Sequence, residues 1–557
     1  MTYKPPISNI LLAMQCAVKL GTANNHDLSV EDVEAILNEA GRFAAEQIAP
    51  LNKIGDMNPA KLTNGSVATP PGWQELYRDW CAGGWNSLAG PTEYGGQGLS
   101  FLLSAACTEL WNASSIAFAL CPLLTTGAVE AIAAHATVAL KQRYLSKLVS
   151  GEWSGTMNLT EPQSGSDLSQ LRCKAERNAD ESYRITGTKI YITYGEHDLS
   201  SNIVHLVLAR LADAPHGTRG ISLFLVPKIL PDGTRNDLRC HSLEHKLGIH
   251  GSPTCTMIYG DHGGATGWLI GEENRGLNCM FTMMNNARLL VGVQGVALAQ
   301  RAMQASFEFA RERHQGRAPG AGAGQSAIVL HPDVQRMLLD MRVKTAAARM
   351  LCMATASAID AGSADQALAS LLTPLAKSYA TDIAVEVTST AIQVHGGMGY
   401  VEETGVAQYY RDARILPIYE GTNGIQAIDL VTRKLGLEEG GTLSEILQAC
   451  KNRLANLAGG AATAQILADV EELSDAMCKA PMTPASLAAA TPYLRALAAT
   501  VAAGYLAEAA QLARGSDLQE EAATDANYFF ASELPMAVAA AKIALGAAEI
   551  LNAARLG

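Results

Sequence analysis

Between about Glu152 and Gly271 the sequence abandons the helical period that dominates on both sides. It breaks into short β-type runs, "YRITGTKIYIT", "NIVHLVLARL", "GISLFLVPK" and "TCTMIYG", parted by turn clusters. No helical run of typical length separates them, so a parallel sheet with crossover helices is disfavoured, and antiparallel hairpins or a small barrel are expected. The chain therefore reads as mainly α with an inserted β domain. At 557 residues it exceeds the size at which one hydrophobic core keeps growing. Four parts are expected: an N-terminal helical domain (1–151), a middle β domain, a small antiparallel β barrel (152–275), a helical bundle (276–441) and a C-terminal helical extension (442–557).

In the first helical stretch Ser29 is placed to cap a helix carrying Val33, Ile36, Leu37 and Phe43, and Pro50 is expected to end it. The opening "MTYKPPISNILLAM" is too short and interrupted for a signal core and reads as a segment packed on the domain. In the bundle, Leu289, Val293, Val296, Met303 and Phe307 form one stripe, and Val334, Leu338, Met341, Thr345, Ala348 and Cys352 another. Pro332 stands where a helix start tolerates proline, "APGAGAGQS" reads as a loop, and Gly396 with Gly397 ends a later helix through Tyr379, Ile383 and Val394. In the extension, Leu443, Ile446, Cys450, Leu454 and Leu457 share a stripe. No polar cluster there suggests chemistry, so packing or subunit contact is its expected role.

A formal charge of -12 without a long basic run argues against a nucleic-acid partner. Eleven cysteines, none at CxxC spacing, suit reduced thiols in a cytoplasm, and no segment reads as membrane-spanning. His245, His250 and His395 lack a matching ligand set, so no metal is expected.

Neither GxxxxGK[ST] nor a GxGxxG opening a helix after a strand is present. "QVHGGMGYVEE" fits a helix end and turn, or close approach of backbone to a flat or phosphorylated ligand. In "LPIYEGTNGIQAIDLVTRKLG", Thr422 or Asn423 can cap a helix beginning near Gly424. Glu420 just before it either complements the helix dipole or does chemistry. "MNLTEPQSGSD" (157–167) and "TKIYITYGEHD" (188–198) put hydroxyls and small residues, including Thr160, Ser164, Ser166 and Asp167, in loops at the edges of the β domain.

Taken together, and in this order along the chain to about residue 435, "LTEPQSGSD", "QVHGGMGYVEETGVAQYYRD" and "IYEGTNGIQ" resemble the signatures of the acyl-CoA dehydrogenase family. The resemblance implies FAD as cofactor and an acyl-CoA as substrate, with Glu420 removing the α-proton to give the trans-2-enoyl-CoA. It puts Leu159, Thr160 and Ser166 at the flavin and its phosphates, and Tyr191, where the family usually has tryptophan, with Ile192 and Thr193 beside the ring. Arg313, Gln393, Gly397 and Thr422 complete that site, and Arg288, Tyr419 and Gly421 lie on the substrate side. Because Arg313 and the Gln393 loop reach a neighbouring subunit's FAD in this family, a homodimer is implied, with an electron-transferring flavoprotein as acceptor. "TYGEHD", "EHKLGIHGSPTC", "RERHQGR" and "YKPPI" further resemble the long members that act on 3-methylmercaptopropionyl-CoA. An acyl-CoA oxidase and a non-enzymatic flavin-bearing binding protein are the rival readings, and Glu420 in "YEGT" argues against the second.

Overall fold

The computed structural model describes residues 3–20, 28–455 and 460–547. The chain forms two compact units, one of Glu46–Ser100 and Ser114–Ala287, the other of Met1–Ala45, Phe101–Ala113 and Arg288–Gly557.

The first unit contains ten strands: β1 (Lys61–Thr63), β2 (Ser66–Ala68), β3 (Trp153–Asn158), β4 (Lys174–Arg177), β5 (Tyr183–Thr193), β6 (Asn202–Leu211), β7 (Ile221–Pro227), β8 (Leu238–Leu243), β9 (Thr254–Tyr259) and β10 (Ala265–Ile270). β1 and β2 make a separate hairpin. β10, β7, β6, β4 and β5 close into a five-stranded barrel through the β10–β5 pairing, and β9 and β8 extend from β5. The expected small barrel is present, with a correction to its all-antiparallel character: β6 pairs in parallel with both β3 and β4. β6 and β7 are almost wholly buried, which is why they read as continuous apolar runs rather than alternating ones. Their core includes Leu206, Leu208, Phe224, Ile185, Leu145, Leu148 and Met283.

In the second unit the long helices Pro332–Asp360 and Gln366–His395 pack along one another. Val343, Leu351, Leu372, Leu375 and Ile383 are fully buried there. The helix Pro484–Leu512 of the C-terminal stretch lies against both, and also against Gly441–Leu454 and Glu533–Gly546. Leu443, Ile446, Cys450 and Leu454 are buried as their spacing demands, whereas Leu457 lies outside the described residues.

Three local expectations can be compared with the fold. Ser29 caps Val30–Phe43 and shares a capping box with Asp32. Pro50 does not end that helix: a π-helical turn, Ala44–Ile48, leads into Ala49–Met57, and Pro50 sits in the first turn of this new segment. A missing N–H costs little there, since that donor has no intrahelical acceptor. The expectation of no membrane-spanning segment meets two helices that qualify by length and composition only. Phe101–His135 and the run Gln519–Gly546 are long and apolar enough by composition, with 83% and 39% of their most apolar windows buried in the protein.

Candidate active site

The segment after Ile415 folds back on itself. Tyr419 N–H donates to the Ile415 carbonyl at 3.1 Å and Asn423 N–H to the Pro417 carbonyl at 3.0 Å. Thr422 then caps the helix Asn423–Asp429, its hydroxyl accepting from Ile425 N–H at 3.3 Å. Two successive residues of this turn are left-handed, Glu420 at φ 55° and Gly421 at φ 88°. Gly421 suits that conformation, and a Cβ there would come within 2.7 Å of the Gln426 amide nitrogen. Glu420 does not, and such a residue costs about 1–3 kcal/mol unless its surroundings fix it.

Those surroundings are polar groups on neighbouring helices. Arg288 Nε and Gln426 Nε2 each donate to the Glu420 carbonyl at 3.4 Å. Lys377 Nζ donates to the Gly421 carbonyl at 2.9 Å and to Asn423 Oδ1 at 2.8 Å, and Asn423 Nδ2 donates to Asp382 Oδ1 at 2.8 Å. The Tyr419 hydroxyl donates to Gln294 Oε1, and Gln294 Nε2 donates to Asn112 Oδ1 at 3.1 Å.

Burial pushes the half-buried Glu420 carboxyl above the usual carboxylate range, and the charges of Arg288 and Lys377 pull it back in part. Burial likewise brings Lys377 down to about 7 against the pull of Glu420 and Asp382. A carboxylate with raised proton affinity, in a turn fixed by its own backbone hydrogen bonds, is equipped for general-base work. The main-chain N–H of Glu420 makes no hydrogen bond among the described residues.

The other expected site residues of this unit are exposed. Arg313 follows the helix Gly276–Glu312, and its Nη2 donates to Gln315 Oε1 at 3.3 Å. Gln393 and Gly397 flank the helix end at Gly396.

In the unit holding the barrel, a buried ion pair pins the loop after β3. Lys189 Nζ reaches Glu161 Oε1 and the Leu159 carbonyl, both at 2.9 Å, while Ile190 N–H donates to the Thr160 carbonyl at 3.0 Å. A bulge between Lys189 and Ile192, with Tyr191 at φ 60°, leaves the Tyr191 ring 61% exposed. Ile192 is only 2% exposed, so its side chain belongs to the core and is not available to lie beside a ring. The hydroxyls of Thr160 and Ser166 make no hydrogen bond among the described residues, and a Cβ on Gly165 would meet open space. An exposed flat ring, unengaged hydroxyls and an uncrowded small-residue loop fit the mixed aromatic and phosphate chemistry of FAD.

Sequence reasoning missed Lys377, Asn423 as its acceptor, and Gln294. The available signal was a lone cation in the apolar run from Leu371 to Val387, on helical spacing with buried neighbours. Among the described residues no three His, Cys, Asp or Glu side chains gather as metal ligands. His250 pairs with Asp56 at 2.9 Å, and His395 Nδ1 lies 2.7 Å from the Ala391 carbonyl.

Family models for the acyl-CoA dehydrogenase N-terminal, middle and C-terminal domains match residues 30–152, 156–262 and 274–435. The chain is 47% identical to the 3-methylmercaptopropionyl-CoA dehydrogenase of Ruegeria pomeroyi, over 93% of each protein. Two solved structures share the fold at low identity. Caenorhabditis elegans ACDH-11 in complex with C11-CoA matches with a TM-score of 0.80 and 20% identity, over 96% of this chain and 92% of that one. An acyl-CoA dehydrogenase complexed with FAD from Bacillus anthracis matches with a TM-score of 0.76 and 23% identity, over 95% and 91%. With its three domains matched in order and a relative of nearly half identity along almost its whole length, the chain belongs to the acyl-CoA dehydrogenase family, FAD-dependent oxidoreductases that act on the CH–CH bond of an acyl-CoA.

Proposed function

We propose that Glu420 is the base that takes the α-proton of the bound thioester, and that the preferred acyl group is short, of the 3-methylmercaptopropionyl type. The observation carrying the first part is the half-buried Glu420 carboxyl, raised in proton affinity and held between Tyr419 and Gly421. The similarity to the Ruegeria enzyme supports the second.

An α-proton beside a thioester is too weakly acidic for a carboxylate alone, so negative charge developing on the carbonyl oxygen must be stabilised. The unengaged N–H of Glu420 is the donor this chain offers for that oxygen. FAD, when bound, supplies the acceptor for the hydride lost from the β-carbon. By the family resemblance Thr160, Ser166, Tyr191 and Thr193 would hold it, with Leu159 and Ile192 contributing main chain; Arg313, Gln393, Gly397 and Thr422 would complete such a site, Arg313 and the Gln393 loop reaching the FAD of a neighbouring subunit. Arg288, Tyr419 and Gly421 shape the substrate side. An electron-transferring flavoprotein then removes the electrons, and the working unit is a homodimer. A cytoplasmic setting accords with eleven free cysteines.

Anaerobic titration of the FAD-loaded protein with a panel of acyl-CoAs tests this. Bleaching of the flavin at the lowest concentration by 3-methylmercaptopropionyl-CoA or butyryl-CoA is expected, with slow recovery in air. Stronger bleaching by long-chain substrates would overturn the acyl preference, and fast recovery in air would indicate an oxidase.

A further inference from the structure

Lys377 is fully buried, and among the described residues no carboxylate oxygen lies within 4.0 Å of its ammonium, although Glu420 and Asp382 act on it from farther away. Its two acceptors, the Gly421 carbonyl and Asn423 Oδ1, both belong to the turn that begins at Glu420. A buried ammonium without a carboxylate partner carries a desolvation penalty that a methionine of similar length would avoid. The turn it grips contains a left-handed glutamate and a left-handed glycine in succession, a conformation that persists only when its neighbours over-determine it.

We propose that Lys377 is a positioning residue for the base: its ammonium fixes the carbonyl next to Glu420 and sets a positive charge beside the carboxylate. This rests on the reading of Glu420 as the base. Lys377 acts through the turn and its field and need not touch the substrate. The charges that act on Glu420 are Arg288 on the helix Gly276–Glu312 and Lys377 on the helix Gln366–His395, and Asp382 on the latter helix acts on Lys377. Asp429 and Arg433 act in turn on Arg288. Lys377 hydrogen-bonds to the carbonyl of the residue that follows the base.

The test uses full-length, FAD-loaded protein and single-turnover flavin reduction by butyryl-CoA across pH, with Lys377→Gln and Lys377→Met. The titration of the Glu420 carboxyl is read independently as an infrared band, assigned by its loss in Glu420→Gln. Both Lys377 variants remove the charge, so the acid limb of the rate profile and the infrared titration should move to higher pH by about one unit or more. Lys377→Met also removes the donor to the turn, and its plateau rate should fall about 10- to 100-fold. Should Lys377→Met fail to fold, Lys377→Gln, which keeps an N–H for the Gly421 carbonyl, decides the question. Unmoved limbs and bands in folded, FAD-replete variants would overturn the proposal. Retained flavin reduction in Glu420→Gln would instead overturn the assignment of the base.

Discussion

Glu420 and Lys377 show opposite relations between sequence and site. The glutamate was legible because it sits in a string, "IYEGTNGIQ", whose every neighbour does part of the local work: Thr422 caps, Gly421 turns, Tyr419 anchors to Gln294. Lys377 is 43 residues upstream on another helix, and only the fold brings its side chain to the turn. Replacing Glu420 by Gln nearly keeps shape and hydrogen bonding but removes the base. Single-turnover flavin reduction should drop by about 10²–10⁴ with FAD content unchanged, while the exposed Glu403→Gln stays near wild type. Lys377 also gives a stability prediction. Unfolded, it holds its proton up to its ordinary value of 10.5; folded, it loses it near 7. Between those values the unfolded chain binds more protons, so this residue makes stability rise with pH from about 7 to 10.5 and fall on the way back. In thermal melts, Lys377→Met should therefore gain on the wild type as pH is lowered through that window. A constant difference in melting temperature would refute the assignment.

At the level of elements, the periodicities carried furthest. Of the stripe Val334, Leu338, Met341, Thr345, Ala348 and Cys352, all but the half-buried Val334 in the first turn are buried, since a helix that must cover a core writes that face into its sequence. Ladder direction was less legible. β3 and β4 both run parallel to β6, and pairing partners distant in sequence leave no mark in either strand alone. Pro50 misled for a different reason: proline stops a helix interior but is welcome in the first turn of a new segment, and the π-turn creating that new start has no sequence signature. Close helix contacts were equally hidden. Gly295, on the helix Gly276–Glu312, lies so near the helix Gln366–His395 that a Cβ would stand 2.5 Å from the Ala380 carbonyl oxygen. Because that obstacle is backbone, the helices must part. Gly295→Ala should cost about 1–3 kcal/mol in denaturant unfolding. It should also slow flavin reduction, because Arg288 and Gln294 are on one of these helices and Lys377 on the other. Unchanged stability would show that the helices yield freely.

Across the molecule, the C-terminal stretch was expected to be a helical extension serving packing or subunit contact, and two of its polar residues, Arg495 and Glu533, form ion pairs with the neighbouring long helices. Arg495 pairs with Glu386 and, at 2.6 Å, with Glu533, while Lys344 pairs with Asp340 and Glu386, both at 3.0 Å. Two cations thus meet three carboxylates, contributed by the helices Pro332–Asp360 and Gln366–His395 and by the stretch beyond Thr442. The apolar run Gln519–Gly546 is interrupted within this arrangement: Ser532 departs from helical geometry, and Glu533 beside it is 1% exposed and ion-paired. Removing Arg495 alone would leave Glu533 buried with only Lys344 at 3.5 Å, and Glu386 sharing that same lysine. Loss of one partner from a buried charge cluster costs about 3–5 kcal/mol, and Arg495, which keeps some contact with water, belongs at the lower end. Arg495→Met should therefore lose about 3 kcal/mol in denaturant unfolding and become more open to proteolysis beyond Thr442. Adding Glu533→Leu removes the stranded carboxylate, so the double variant should recover part of the loss. If Arg495→Met unfolded like the wild type, the ion cluster would not be what fastens these helices, and the apolar packing of Leu494, Leu497 and Val501 would have to do so alone.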